Sequence, residues 1–400
     1  MKKGGKLEGA ALSLSKGWKV EKLGDVCEVF ADGDWIESKD QSPEGVRLIQ
    51  TGNVGNGIFK DRGEKARYIS EATFKRLRCT EIFEGDCLVS RLPDPVGRAC
   101  ILPDTGEKMI TAVDCTIIRF DKKKVIPEFF NYYSQSDQYI NDVDHETSGT
   151  TRKRISRSKL AEIEIPIPPL PEQQRIVSVL DEAFLSIAQA KSNAERNLVN
   201  ARELFSSVLD EIFSNLQDGW EEKTIEEVCA EIFAGGDAPK DNYSENRTEK
   251  YKVPIFANAV KDNGLYGFTD IARVTEPSIT ISARGSGTGH TEIRNESYLP
   301  IVRLIVLIPK LSLVTLEFLK HSIGNLEILR SGSAIPQLTV PMIKEYKIPV
   351  PPLAEQRAIV GRLEALSAET GRLEEIYEAK VEGLEELKKS VLGKAFGGEL

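Results

Sequence analysis

The sequence predicts an α+β protein: two similar mixed α/β domains separated by a long antiparallel two-helix coiled coil, pseudo-twofold overall. Three observations lead there. IPIPPLPEQQRIV at 165–177 returns as IPVPPLAEQRAIV at 348–360. The segments around the two copies follow one order along the chain. Apolar residues in alternating steps of four and three follow each Glu-Gln. Four hundred residues exceed a single hydrophobic core. The expected division is a disordered tail (1–16), a first domain (17–165), a junction and helix (166–216), a second domain (217–348), and a second junction and helix (349–400).

The duplication reaches well beyond the junction. KGWKVEKLGDVCEVF (16–30) resembles DGWEEKTIEEVCAEIF (218–233), and PEFFNYYSQS (127–136) parallels LEFLKHSIGN (316–325). SGTTRKRISRSKLAEIEIPIPP (148–169) parallels SGSAIPQLTVPMIKEYKIPVPP (331–352). Two long repeats mean a duplicated domain, since a solenoid needs three or more short ones.

Each domain opens on a Gly-Trp and a short helix carrying Cys27 or Cys229 among apolar neighbours. β-Branched runs bounded by Gly, Pro or Asp then predict strands. They cover 46–54, 85–92 and 109–120 in the first domain, and 252–260, 277–285 and 299–309 in the second. PEFFNYYSQSDQYI and LEFLKHSIGNLEIL read as short amphipathic helices. Pro-Pro then fixes an extended strand end, and Glu172 or Glu355 falls in a first helical turn, where the helix dipole favours it.

The first long helix places Ile176, Leu180, Ala183, Ile187, Ala190, Ala194, Asn197, Ala201, Leu204 and Val208 on one seam. The second places Ile359, Leu363, Leu366, Thr370, Leu373, Tyr377, Lys380, Leu384, Leu387 and Val391 there. Such spacing is a coiled-coil seam. Neither seam has another obvious partner, so the helices are expected to pair antiparallel. About 32 paired residues would make a rod of roughly 48 Å, with one domain near each end.

Composition narrows the function. No apolar run approaches the roughly 18–20 residues of a membrane span, and the amino-terminal apolar patch is too short for a secretory signal. Six cysteines without a CxxC pair, and only three histidines, argue against structural zinc. They fit reduced, buried thiols in a cytoplasmic protein. The net charge of −9 disfavours nucleic acid only as a total, because DNA needs only a local basic face. The acid is expected on the rod and outer faces.

That face has a candidate. TSGTTRKRISRSK (147–159) carries five basic residues and no acid. Ser148, Thr150, Thr151, Arg152, Lys153, Arg154 and Arg157 suit phosphate and base contacts; the plain alternative is a solvated surface. Its counterpart has lost every basic residue but keeps Ser333 and Gln337, as readers of different sequences would. A second pair of loops, SRLPDPVGRA (90–99) and SARGSGTGHT (282–291), places Arg91 and Arg284 at equivalent strand ends. These are hairpin turns, or turns that also offer Arg98, Ser286, Thr288 and His290 to DNA. The glycine-rich copy lacks the GK[ST] of a nucleotide-binding loop. Asn-rich turns at 53–56 and 257–263 are turn chemistry first and adenine contacts second. No GxSxG, HExxH, methyltransferase or metal-binding motif is present.

With its Gly-Trp starts, its doubled Ile-Pro-x-Pro-Pro-Leu-x-Glu-Gln junctions and the heptad helices after them, the chain resembles specificity (S) subunits of type I restriction–modification systems from Gly17 onward. The resemblance implies two target recognition domains, each reading one half of a bipartite asymmetric site in double-stranded DNA. It implies helices whose length sets the unread gap. It also implies docking of two modification (methyltransferase) subunits, to which two restriction (translocase–nuclease) subunits can add. S-adenosylmethionine, ATP and magnesium would belong to those partners, none to this non-catalytic chain. Glu172, Gln173, Arg175, Glu355, Gln356 and Arg357 at the junctions then either touch the modification subunit or only start the helices. Two other classes stay open from the residues alone: a coiled-coil adaptor with two protein- or ligand-binding domains, and an enzyme with an unrecognised site.

Overall fold

A computed structural model describes residues 17–149, 153–214, 217–326 and 338–400. They form two units: Met1–Ala194 with Ala379–Leu400, and Glu195–Glu378. Each long helix, α5 (Leu170–Ser214) and α9 (Leu353–Gly397), is divided between them.

The first unit has ten strands: β1 (Lys19–Lys22), β2 (Cys27–Asp32), β3 (Gln41–Ser42), β4 (Val46–Ile49), β5 (Arg67–Ile69), β6 (Cys87–Ser90), β7 (Ala99–Ile101), β8 (Met109–Thr111), β9 (Cys115–Phe120) and β10 (Glu164–Ile167). They build sheets ordered β2-β9-β6-β7 and β3-β5-β4-β8 and the pair β1-β10. The second unit repeats this strand for strand with β11 (Glu221–Thr224), β12 (Cys229–Ala234), β13 (Tyr243–Ser244), β14 (Val253–Phe256), β15 (Leu265–Thr269), β16 (Ser278–Ile281), β17 (Thr291–Arg294), β18 (Leu299–Pro300), β19 (Ile305–Pro309) and β20 (Lys347–Val350). Its sheets are β12-β19-β16-β17, β13-β15-β14-β18 and β11-β20. Two exceptions repeat as well: β4–β8 and β14–β18 are parallel pairs, and the register slips just after Cys27 and just after Cys229.

Helices α1 (Glu71–Leu77), α2 (Pro127–Tyr133), α3 (Asp137–Glu146) and α4 (Arg157–Ala161) complete the first unit. The second has α6 (Ile225–Val228), α7 (Leu316–Gly324) and α8 (Val340–Glu345). The helix expected across 127–140 is two, because the Ser136 side chain accepts from the Tyr139 N–H and starts a new turn there. The opening helices shrink to one turn, and Cys27 and Cys229 begin strands instead. The strands expected at 109–120 and 299–309 each divide at a turn, 112–114 and 301–304, where the chain leaves one sheet for the other.

All six thiols are free, and all but the half-buried Cys27 are buried. Burial pushes Cys229 up to about 12, so it stays protonated and inert. No described helix is long and apolar enough to cross a membrane.

Within the first unit the two long helices run antiparallel: Lys191 pairs with Glu385, and Arg175 Nη2 donates to Leu400 O at 2.8 Å. Within the second, Arg202 pairs with Glu374 at 3.0 Å and Glu378 at 2.6 Å. Beyond Ala201 and Tyr377 the seams hold only in part. Leu204 and Leu387 are 44% and 46% exposed. Phe205, Leu209 and Ile212 pack beside the expected Val208 with Trp220 and Leu363, and Leu392, Ala395 and Phe396 join the first unit's core, against which the expected Val391 also packs. A straight helix drifts about 20° per heptad from a 3.5-residue repeat, and one additional step of four restores the facing. Phe396 meets Phe129 with ring centroids 5.4 Å apart, and Phe213 meets Phe318 at the same separation.

The junction glutamines lock each long helix to its domain. Gln173 is fully buried. Its Oε1 accepts from Ile126 N–H (2.9 Å), and its Nε2 donates to Lys124 O (2.8 Å) and Pro168 O (2.9 Å). Gln356, also fully buried, accepts from Thr315 N–H (2.9 Å) and donates to Leu313 O and Pro351 O, both at 2.8 Å. This corrects the expectation of partner contact for both residues, since neither amide reaches the surface. Gln173→Leu or Gln356→Leu should cost about 3 kcal/mol or more, because three buried polar groups lose their partners. Glu172→Gln should change stability by less than about 0.5 kcal/mol. Urea unfolding of the purified variants measures both.

Candidate nucleic-acid interface

Three loops and one strand end converge in each unit. After β2, Gly33 N–H donates to Cys115 O (2.9 Å) and Asp34 N–H to Thr111 O (2.8 Å), while Val113 N–H returns to Asp34 O (3.0 Å). A Cβ at Gly33 would lie 2.3 Å from Ala112 O, so only glycine allows this approach. Gly235 repeats it: a Cβ there would stand 2.7 Å from the Pro300 carbonyl carbon. Gly235 N–H donates to Leu304 O, and Val302 N–H to Gly236 O. The β6–β7 loop closes through Ser90 N–H to Arg98 O and Gly97 N–H to Ser90 O, matched by Ser282 to His290 and Gly289 to Ser282. The segment before α4 joins through Ile155 N–H to Arg91 O, as Leu338 joins Ala283 before α8.

These bonds fix the correspondence between the units. Arg98 matches His290, Arg91 matches Ala283, and Asp114 matches Arg303. Arg91 and Arg284 are therefore not equivalent, which corrects the expectation from sequence.

Arg98 is buried, and four of its five N–H groups are committed to backbone carbonyls. Nε donates to Val54 O (2.7 Å), Nη1 to Leu92 O (2.6 Å) and Pro95 O (3.0 Å), and Nη2 to Thr51 O (2.9 Å). Arg91 is buried too; Nη2 donates to Val113 O and lies 3.1 Å from Asp32. Burial lowers the pKa of both guanidinium groups. Both arginines brace the loops from inside, so the expectation that they meet DNA is corrected. Asn53 is likewise internal, bonded to Gln50 N–H and Lys60 O.

The basic segment stays at the surface, and its charges face acids. Arg154 pairs with Asp114 (3.0 Å), Arg157 with Asp32 (4.0 Å) and Lys153 with Asp144 (2.7 Å), each cation about half-exposed. Acid thus occupies this rim as well as the rod. Ser148 and Arg154 exchange backbone hydrogen bonds across the loop. Thr150, Thr151, Arg152, Ser333 and Gln337 lie outside the described residues, as does the side chain of Ser286. In the second unit, Arg284 O accepts from Asn258 Nδ2 (3.0 Å), and Thr288 Oγ1 donates to Gly285 O (2.8 Å). His290 Nε2 stands 3.2 Å from Glu292, a carboxylate shared with Lys320.

Sequence reasoning missed Arg303. It is exposed at the place of Asp114, reversing the charge of the rim there. Val302 and Arg303 both take positive φ, 51° and 59°. A β-branched residue there is strained, and such strain gathers at functional sites. The residue was hidden inside what reads as one strand.

At the junctions, Glu172 holds Arg175 through two bonds of 2.9 and 2.8 Å, and Glu355 accepts from Trp220 Nε1 at 3.0 Å. Arg175 and Arg357 are exposed. No group of three or more His, Cys, Asp or Glu side chains suited to a metal ion occurs among the described residues.

The family model for the type I restriction modification DNA specificity domain matches residues 15–195 and 217–382. A type I specificity subunit of Mycoplasma pneumoniae, S.MpnORF89P, is 31% identical over 289 residues, covering 69% of this chain and 83% of its own. The MjaX specificity subunit of Methanocaldococcus jannaschii is 23% identical over 97% of this chain and 94% of its own. Among solved structures, the HsdS subunit from Thermoanaerobacter tengcongensis shares the fold with a TM-score of 0.65 at 20% identity, over 97% of this chain and 98% of that one. A chain from work on assembly and conformational transition of the type I restriction–modification system reaches 0.77 at 21% identity, over 97% and 100%. With both halves matched and the ten-strand unit built twice, this chain belongs to the type I restriction–modification specificity subunits.

Proposed function

We propose that each unit reads one half of a bipartite asymmetric DNA site. The paired helices set the unread gap and carry the docking surface for two modification subunits, which two restriction subunits can join. The chain has no chemistry of its own; S-adenosylmethionine, ATP and magnesium act on the partners. The observation that carries this reading is a fixed scaffold with a changed rim. Ten strands repeat in one order and register, while the rim exchanges Asp114 for Arg303 and a basic segment for one without cations. Binding one target twice would keep the rim; reading two different half-sites changes it.

The ion pairs at the first rim are compatible with phosphate contact. Half-exposed pairs contribute little, on the order of 0–1 kcal/mol, so a DNA phosphate can take over Arg154 or Arg157 from its acid. Binding should then weaken steeply as salt rises, which separates this reading from a protein-binding adaptor.

Methylome sequencing of a host carrying this gene with its neighbours should give a bipartite motif with a fixed gap. A continuous short motif, or no methylation, overturns the reading. Removing matched heptads from α5 and α9 should change the gap and leave both half-sites intact. Two arginines should behave oppositely. Arg303→Ala should weaken binding about tenfold, with an unchanged urea midpoint. Arg98→Met should lower that midpoint, with a stability loss of about 3 kcal/mol or more, because four carbonyls lose their donor.

A further inference from the structure

We propose that Trp35 is a specificity-determining residue of the first unit, an apolar contact to base edges in the major groove of its half-site. The inference rests on the DNA-reading function proposed above. Of three tryptophans, Trp18 packs against the core and Trp220 is 8% exposed, whereas Trp35 is 70% exposed. It is the most exposed large apolar side chain among the described residues.

Its backbone is held on both sides. Asp34 is pinned by the bonds to the β8–β9 turn, and its Oδ2 accepts from Thr80 N–H at 3.0 Å. Ile36 packs into the cluster of Val46, Leu48 and Ile69. Beyond it, Asp40 takes Arg76 at 2.6 Å. A backbone held on both sides therefore presents an indole whose apolar surface faces solvent. Folding gains nothing from that exposure, while a preordered aromatic loses little entropy on binding.

The surroundings identify the occupant. Asp32 gathers Arg91 and Arg157, and Asp114 gathers Arg154. Those acids flank Gly33 and Asp34 in the hydrogen-bond ladder, immediately before Trp35. An apolar surface beside exchangeable arginines fits an apolar base edge, such as a thymine methyl, next to a phosphate. In the second unit, Asp34 corresponds to Gly236, so Trp35 corresponds to Asp237. A residue changing from indole to carboxylate on one scaffold is what distinct half-sites require.

The test uses the full chain assembled with its modification subunits and synthetic duplexes carrying the mapped site, each with one base pair replaced. Trp35→Ala should bind the mapped site at least about tenfold more weakly. It should lose discrimination at one or two positions of one half-site and keep the other half-site unchanged. In the wild-type complex, the emission that Trp35→Ala removes should shift when the duplex binds. Unchanged affinity and discrimination in Trp35→Ala, with normal discrimination by wild type, overturns the role of Trp35 and leaves DNA reading standing. Loss of co-purification with the modification subunits overturns it in favour of a protein contact. A wild-type complex that discriminates at neither half-site overturns both.

Discussion

A single buried amide at the start of each long helix holds the architecture together. The first turn of a helix and the end of the preceding strand leave backbone groups without partners, and burying them unpaired is costly. Gln173 satisfies three backbone groups, Pro168 O after β10 and the Lys124 O and Ile126 N–H that precede α2, and so ties the long helix to the domain. Only a neutral amide has both a donor and an acceptor for that set. A carboxylate would face two carbonyl oxygens with no proton to offer. Hence the Glu and the Gln of the repeated motif differ in kind: the Gln is structural in both copies. The Glu binds Arg175 in one copy and the Trp220 indole in the other.

With the helix clamped to the domain, the rest of the scaffold can stay constant while its rim varies. Gly33 and Gly235 allow the same close approach, and the same backbone bonds tie the end of β2 or β12 to the turn before β9 or β19. Arg98 supports its loop with four carbonyl bonds. His290 stands at that place without them, on a glycine-rich loop that takes its own turn. The loop therefore needs closing, but not by one particular side chain, which leaves the outward residues free to differ.

The duplicated order of segments was legible in the sequence because each unit repeats its landmarks at matching offsets. The seams were legible for about seven turns of the first helix and about five of the second. They then slipped, because a 3.5-residue pattern cannot follow a 3.6-residue helix indefinitely. The divided strands were not legible: 112–114 and 301–304 contain no glycine or proline, and Val and Ile there favour extended structure. Pairing Arg91 with Arg284 failed for another reason. Matching the cations, instead of the flanking Ser and Gly, slips the loop by one residue. Nor does a sequence say which way a polar side chain points. Arg98 and Arg154 look alike as letters, yet one is sealed by carbonyls and the other sits half-exposed beside an acid.

That distinction bears on the acidic total. A net charge of −9 looks hostile to DNA, but the first unit's rim sets Asp32 and Asp114 against arginines that remain at the surface. Such pairs keep the guanidinium groups oriented at little energetic cost and hold the local charge near neutral until a stronger anion arrives. The second unit places a cation by another route, putting Arg303 itself on the turn where the first has Asp114. One scaffold thus delivers a cation to the same neighbourhood from two different chain segments. Under the proposed reading, the geometry of the contact differs between the units, so a half-site fitted to one is presented to the other in the wrong place.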